Sequence, residues 1–328
     1  MQYSASGVAG SIERKSMDAL SRLLSLHPIR TALDTRCRGA APWNVDHVAQ
    51  SHGTAPYHLV VEGGAWLEMA GQPPLQLRAG DMLVLPRGHA HTLRIGGGGL
   101  GGGRDLGGGG GVGGGGGLGV DDGQADGALT DILCGQFHFG AAAANTLIGA
   151  LPDVVLIRTD GGPEFAGLQA LVPLLRDESS AAKPGANAVV SHLASALFAL
   201  ILRAWLKQAD AVPGLFALLA DARLAPALQA MLSTPEKAWT MEQLAQLCHM
   251  SRSTFLRAFG KVAAATPGEL LMRVRMAQAA QWLKQAHRGI GEISEAVGYH
   301  SEAAFNRAFK RYMGAGPGQY RRDDATLH

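Results

Sequence analysis

Cysteine is scarce: Cys37, Cys134 and Cys248 are the only three in 328 residues. That scarcity argues against a disulfide framework and points to a reducing compartment. The first 25 residues are interrupted by Glu13, Arg14, Lys15 and Asp18, so no cleavable secretion signal is expected and a cytoplasmic location is. Long uninterrupted apolar runs are also missing. A bilayer span wants about 20 mainly apolar residues, and the nearest approach, Val189 to Leu206, is broken by Ser191, His192, Ser195 and Arg203. It reads as a buried helix with Leu193, Leu197, Leu200, Ile201 and Ala204 on one stripe, and with enough apolar flank to be covered by a partner subunit. No membrane association is expected. Between Gly96 and Gly119 glycine dominates, yet no Gly-Lys-Ser/Thr follows, which excludes a phosphate-cradling loop. With so little to bury, that run is expected to be a flexible loop.

What the chain does have is a block written twice, about fifty residues apart. Ser251-Arg252-Ser253-Thr254-Phe255-Leu256-Arg257-Ala258-Phe259 is matched by Ser301-Glu302-Ala303-Ala304-Phe305-Asn306-Arg307-Ala308-Phe309, and each copy is followed by a basic residue and Pro-Gly. Repetition at a fixed offset marks one supersecondary unit used twice. Phenylalanines four apart share a helical face, which leaves Arg257 and Arg307 pointing elsewhere. A shorter apolar-striped helix precedes each copy, through Leu244, Leu247 and Cys248 and through Ile293, Ala296 and Val297. The turns between, His249-Met250 and Gly298-Tyr299-His300, place His249 and Gly298 where φ is often positive, and Ser251 and Ser301 fit as N-caps.

Two helices joined by a short turn are a helix-turn-helix, whose second helix enters the major groove. Pro267 opens a connecting helix through Leu283, roughly 25 to 30 Å long. That length suits two readers on successive major-groove faces, about 34 Å apart, and implies a bipartite site on double-stranded DNA. From Trp239 through Arg322 there are twelve Lys and Arg against five Asp and Glu, a net +7 in a chain of net +2. Basic charge therefore sits where the helices are, as phosphate neutralisation requires. The competing reading is a plain helical bundle with solvated arginines.

The ending Gly298-Tyr299-His300-Ser301-Glu302, with Phe305-Asn306-Arg307-Ala308-Phe309-Lys310 and Gly316-Pro317-Gly318-Gln319-Tyr320-Arg321-Arg322, resembles the C-terminal signature of the AraC/XylS family of transcription regulators. The resemblance covers about 85 residues. It implies base contacts from Arg252, Ser253, Leu256 and Arg257, and from Glu302, Ala303, Asn306 and Arg307, with Ser251, Ser301 and Lys310 facing phosphate. Leu256 and Ala303 offer a base no hydrogen bond, only an apolar contact with a thymine methyl. Arg257 and Arg307 are each able to fork onto guanine.

From Thr31 the texture changes to short apolar runs broken by Gly and Pro. Tyr57 to Val61 and Ala65 to Met69 flank Glu62-Gly63-Gly64, which predicts a hairpin, and strands follow at Leu75 to Leu77, Met82 to Leu85, His91 to Ile95 and Ile132 to Phe139. Short strands at even spacing predict a sandwich or barrel. Gly80 to His91 matches the second motif of the cupin barrel, G-x5-P-x-G-x2-H, and so resembles the sensor carried by one branch of AraC-like regulators. In metal-binding cupins the histidine matching His91 is a ligand. The first motif is not recognisable, because His47, His52 and His58 have the wrong spacing and Pro56 or Tyr57 stands where a carboxylate is expected. No cofactor or metal is therefore expected, His91 and His58 being the first candidates if one binds. An effector pocket is expected around Tyr57, His58, Trp66 and His91. Cys134 reads as a small core residue, the alternative being a redox sensor with Cys37 as its partner.

The chain is thus expected to be α+β, with a cupin-like barrel or sandwich, a helical connector and an all-α double helix-turn-helix domain. The expected boundaries are 1–155 for the sensor with a loop at 96–123, 156–219 for a connector that dimerises or relays, 220–322 for the DNA-binding domain, and 323–328 for a tail. The expected function is sequence-specific DNA binding to regulate transcription, as a homodimeric activator responsive to a small-molecule effector, with RNA polymerase as a further partner. The alternatives are a cupin enzyme, a metal or redox sensor with DNA binding as its output, or an effector-independent architectural protein.

Overall fold

The computed structural model describes residues 17–325 except 28, 41, 97–128, 141–143, 145, 160–164, 181–182, 209–213 and 286–287. The loop expected at 96–123 lies outside the described residues beyond Gly96. The chain forms two compact units, one of Pro28–Val212 and one of Met1–His27 with Pro213–His328.

The first unit is built on two antiparallel sheets. One runs β1 (Ile29–Ala40), β8 (Leu129–Phe139), β3 (Thr54–Glu62), β6 (Met82–Val84), β9 (Val155–Ile157), and the other β2 (Trp43–His47), β7 (His91–Ile95), β4 (Gly64–Glu68), β5 (Leu75–Arg78). Alternate residues of each strand point to opposite faces, and one set meets in a shared core of Val60, Ala65, Leu67, Leu77, Leu83, Leu85, Leu93, Ile95, Ile132 and Cys134.

The hairpin expected across Glu62-Gly63-Gly64 does not form. β3 pairs with β6 and β8, whereas β4 pairs with β5 and β7, so the chain changes sheets at this point. Gly63 makes the corner: its φ is +74, and a Cβ there would run into the Thr130 side chain and the Leu129 carbonyl. Strands β1, β2 and β9 were not expected. β1 carries three Arg, two Thr and one Asp and no long apolar run, and its strand character comes from pairing along β8 rather than from its own pattern.

Two helices, α2 (Ala166–Ser180) and α3 (Ala186–Gln208), belong to this same unit. α3 packs on β1, β9 and α2. Phe198 meets Phe137 and Phe139 edge-on with ring centroids 5.1 and 5.2 Å apart. By length and composition α3 is apolar enough to cross a membrane, and one face of it is buried against the sheet and α2. Leu197, Ile201 and Ala204 of the expected stripe are buried, together with Val190, Ala194, Phe198, Leu202 and Trp205, while Leu193 and Leu200 are only half-buried.

Among the described residues the second unit is all helical: α1 (Ala19–Ser25), α4 (Gly214–Ala220), α5 (Ala225–Ser233), α6 (Met241–Leu247), α7 (Arg252–Ala263), α8 (Pro267–Lys284), α9 (Ile290–Ala296), α10 (Glu302–Met313) and α11 (Pro317–Ala325). Local chemistry explains most of the boundaries. Thr240 and Thr266 each close a capping box with a residue three positions on, Gln243 and Glu269. Pro267 occupies the first turn of α8, where no hydrogen bond is lost. α1 packs on α5, burying Leu23, and Gln229 reaches back to the Met17 carbonyl.

Candidate DNA interface and a buried thiol and imidazole cluster

α6 with α7, and α9 with α10, form two helix-turn-helix units. The turns are as the sequence requires: His249 has φ +52 and Gly298 φ +82. Ser251 accepts from the Thr254 N–H and Ser301 from the Ala304 N–H, so both serines are N-caps. Phe255, Phe259, Phe305 and Phe309 are fully buried, and each pair lies ring against ring at 5.6 and 5.5 Å. Leu244, Cys248, Ile293 and Val297 join the core, but Leu247 is 39% exposed.

With the phenylalanines inward, the opposite faces of α7 and α10 are open. Ser251, Arg252, Ser253 and Arg257 are exposed, as are Ser301, Glu302, Ala303, Arg307 and Lys310; Leu256 and Asn306 are half-buried. Arg252 is not free, because its Nε stands 2.9 Å from Glu242 on α6. Both partners are solvent-exposed, and such a pair is weak enough to exchange for a phosphate. Between the two readers runs α8, 18 residues with Leu270, Leu271, Val274, Met276, Ala277, Ala279, Ala280 and Leu283 buried. A helix of that length spans roughly 27 Å. Arg275 of α8 is half-buried and donates to the carbonyls of Pro235, Lys237 and Gly298. It braces the second turn against the loop that leads into the first reader.

The residues expected to line an effector pocket do not converge. Tyr57 and His58 are consecutive on β3 and face opposite ways. The Tyr57 ring stacks on Phe137 at 4.4 Å, on the side covered by α3. Trp66 alternates with the core residues Ala65 and Leu67 and so lies on the outer face of the other sheet. His58 and His91 do meet, with Nε2 atoms 2.8 Å apart.

Around that contact the barrel gathers further chemistry. His47 and His91 are direct cross-strand partners on β2 and β7, and one nitrogen from each of His47, His58 and His91 lies within 4.8 Å of the others. His58 Nδ1 is 3.1 Å from Cys134 Sγ, and Cys37 hydrogen-bonds the Cys134 side chain. The two cysteines sit diagonally on β1 and β8, Cys37 opposite Ile132 and Cys134 opposite Thr35, all on one face. Arg36, beside Cys37, clamps the same strands through a two-point ion pair with buried Asp131 at 2.9 and 2.6 Å.

Burial pushes the His58 imidazole well below its ordinary pKa, with the neighbouring His91 and His47 adding to the effect. Burial likewise lowers His91 to about 4 and lowers His47. The hydrogen bond from Cys134 brings Cys37 down to about 7, against the desolvation that opposes it. Cys248, in the helix-turn-helix core, is raised by burial. His47 was discounted in the sequence because its spacing matches no first cupin motif, and indeed it arrives from a different strand of the opposite sheet. Its only sequence signal is the register that sets it across from His91.

Residues 18–207 match the family described as Cupin, and residues 244–323 match a helix-turn-helix domain family. The chain is 32% identical over 305 residues to the Escherichia coli K12 protein named RCS-specific HTH-type transcriptional activator RclR, covering 93% of this chain and 97% of that one. The chain belongs to the AraC-like family of transcription regulators. A regulator from Neisseria gonorrhoeae, HTH-type transcriptional regulator MtrA, is 29% identical, with 94% and 99% of the two chains covered. Among solved structures, ToxT from Vibrio cholerae O395 aligns over 90% of this chain and 97% of its own at 11% identity, with a TM-score of 0.35. The DNA-binding domain of AdpA in complex with a target DNA aligns over 32% and 96% at 28% identity, with a TM-score of 0.31. This AraC-like regulator therefore joins a cupin-type N-terminal domain to a DNA-binding helix-turn-helix domain, and its function is DNA binding in transcription regulation.

Proposed function

We propose that this regulator reads a bipartite DNA site through Arg257 and Arg307, and that the signal it answers to is oxidation of the Cys37 and Cys134 thiols in its barrel. The observation that carries the sensing half is the hydrogen bond between those two side chains, with Cys37 half-exposed and readily ionised and Cys134 buried against the His58 ring. A relative named RCS-specific is in keeping with it.

The chemistry is a two-electron oxidation by an oxidant that presents an electrophilic oxygen or halogen. The Cys37 thiolate attacks that atom, displacing the oxidant's leaving group, and Cys134 then attacks the Cys37 sulfur. The S–O or S–halogen bond breaks as the disulfide forms, and the Cys134 proton leaves with the displaced hydroxide as water, or to solvent where a halide departs. The two thiols lose two electrons and two protons, and the oxidant is reduced. The barrel is a sensor and not an enzyme on this reading, since the thiols are consumed and regenerated rather than turned over on a substrate. A small-molecule effector in a Tyr57, His58, Trp66 and His91 pocket is less well supported, because those side chains point to different faces.

Oxidation acts on DNA only if it favours one of two arrangements of the regulator. A cytoplasmic homodimer contacting RNA polymerase as an activator is the assembly we propose. Leu174 on α2 and Val189 at the start of α3 are 56% and 42% exposed, apolar and suited to a subunit contact. The test combines selection from randomised oligonucleotides with binding to the selected site by reduced protein and by protein treated separately with peroxide or hypochlorite. A changed affinity that disappears in Cys37→Ser and Cys134→Ser supports the reading. Equal affinity in the two redox states, with the disulfide demonstrated by mass, overturns it.

A further inference from the structure

Three imidazoles gathered in an apolar barrel, two of them buried, need a reason, because an unpaired buried nitrogen costs stability. His91 has one partner settled: its Nδ1 lies 2.8 Å from the His89 carbonyl, so Nδ1 carries the proton and Nε2 offers a lone pair. His58 then donates Nε2–H to His91 Nε2, which leaves the His58 Nδ1 lone pair facing the Cys134 sulfur at 3.1 Å. His47 is left over. Its Nε2 is buried and has no hydrogen-bond partner.

We propose that His47, His58 and His91 form a tris-imidazole site for a divalent first-row transition metal ion of the zinc class. Imidazole nitrogen is a suitable donor for such ions. His91 already donates its far nitrogen to a backbone carbonyl, the outer contact that fixes a metal-binding histidine. The orphaned His47 nitrogen gains its missing partner. The third ligand comes from β2, outside both cupin motifs, which is why motif spacing could not reveal the set.

Loading asks for small movements. Zinc–nitrogen bonds of about 2.0–2.1 Å in a tetrahedral site set the nitrogens roughly 3.3 Å apart. The His58 and His91 nitrogens, now at 2.8 Å, open by a few tenths of an ångström. A ligating imidazole has the metal in its own plane, so His47, stacked on His91 with ring planes 11° apart, turns off the stack. It is half-exposed and the freest of the three.

Loading also has a chemical consequence. With a metal on Nε2, His58 would carry its proton on Nδ1 and donate it to the Cys134 sulfur. The metal and the thiol pair are thereby linked through one side chain.

The experiment uses the full-length reduced chain, stripped with chelator and titrated with Zn(II) or with Co(II) as a coloured probe. The expected result is one ion per chain, intense visible Co(II) bands of a tetrahedral site discharged by Zn(II), and loss of both in His47→Ala, His58→Ala and His91→Ala but not in exposed His52→Ala. Because a barrel variant can fail to fold, the unsubstituted chain is also melted with and without Zn(II), where a rise in midpoint reversed by chelator is expected. No binding by the unsubstituted chain at micromolar ion, or undiminished binding by a folded His47→Ala protein, overturns the site. Cys37→Ser separates this test from the thiol reading, since it abolishes the disulfide and leaves all three imidazoles in place.

Discussion

The guanidinium of Arg275 donates to the carbonyl of Gly298 at 3.3 Å, and the same group serves Pro235 and Lys237. A residue of the connecting rod thus holds the turn of the second reader in place. Burial lowers the Arg275 pKa, yet the group stays charged, and hydrogen bonds to a charged donor are worth about 1.5–3 kcal/mol each where their loss strands a buried acceptor.

Arg275→Ala is expected to destabilise the helical unit by about 2–4 kcal/mol, within the range of a broken buried polar network. Gly298→Ala is expected to be at least as damaging, because φ is +82 there and a Cβ would collide with the Glu236 carbonyl oxygen. Urea unfolding measures both. An unchanged midpoint in either variant contradicts the bracing role.

The proposed DNA contacts divide by kind. Arg257→Ala and Arg307→Ala are each expected to cost about 1–3 kcal/mol at one base position and to relax discrimination there, whereas Lys310→Ala weakens binding evenly across sequences and lowers the salt slope by about 1. Selection from randomised DNA with each variant, repeated at two salt concentrations, distinguishes the two. A uniform loss for Arg257→Ala would favour an architectural protein over a specific regulator.

The second unit was legible in the sequence because each of its devices is local. Ser caps, Pro at a first helical turn, positive-φ turn residues and Phe pairs four apart are all read within a few positions, and all are in place. The first unit depends on long-range pairing. β1 is a strand because β8 lies beside it, and His47 reaches His91 because β2 pairs with β7 in a register no local pattern encodes. The same cause misplaced the pocket: consecutive Tyr57 and His58 look like one site in sequence and stand on opposite faces of a sheet. The glycine corner at Gly63 likewise resembles a hairpin turn until the partners of β3 and β4 are known.

Cys37 has a pKa of about 7, set first by its hydrogen bond to Cys134. Its thiolate fraction, and hence its alkylation rate, is expected to rise through pH 7 and level off above it. In Cys134→Ala, burial remains and the hydrogen bond is gone, so the midpoint moves upward past the ordinary thiol value. Iodoacetamide rates followed by peptide mass across pH check both curves. Because the folded value is depressed, the associated stability is complete above the unfolded thiol's pKa and is lost as pH falls through 7.

His27 is buried, and desolvation alone lowers its pKa to about 4 from 6.5. Folding therefore excludes a proton that the unfolded chain binds. The sign follows: the full stability is present above pH 6.5, and it falls as pH drops from there to about 4, by about 3 kcal/mol at 1.36 kcal/mol per unit. A neutral side chain of similar size has no proton to exclude. His27→Gln is thus expected to flatten the decline between pH 6.5 and 4 while lowering stability only modestly at pH 8, where the imidazole is neutral in both states. Urea midpoints at half-unit pH steps make the comparison. If the acid limb of His27→Gln runs parallel to that of the unsubstituted chain, the loss of stability in acid belongs to other groups, of which the neutral imidazoles of His58 and His91 are the next to substitute.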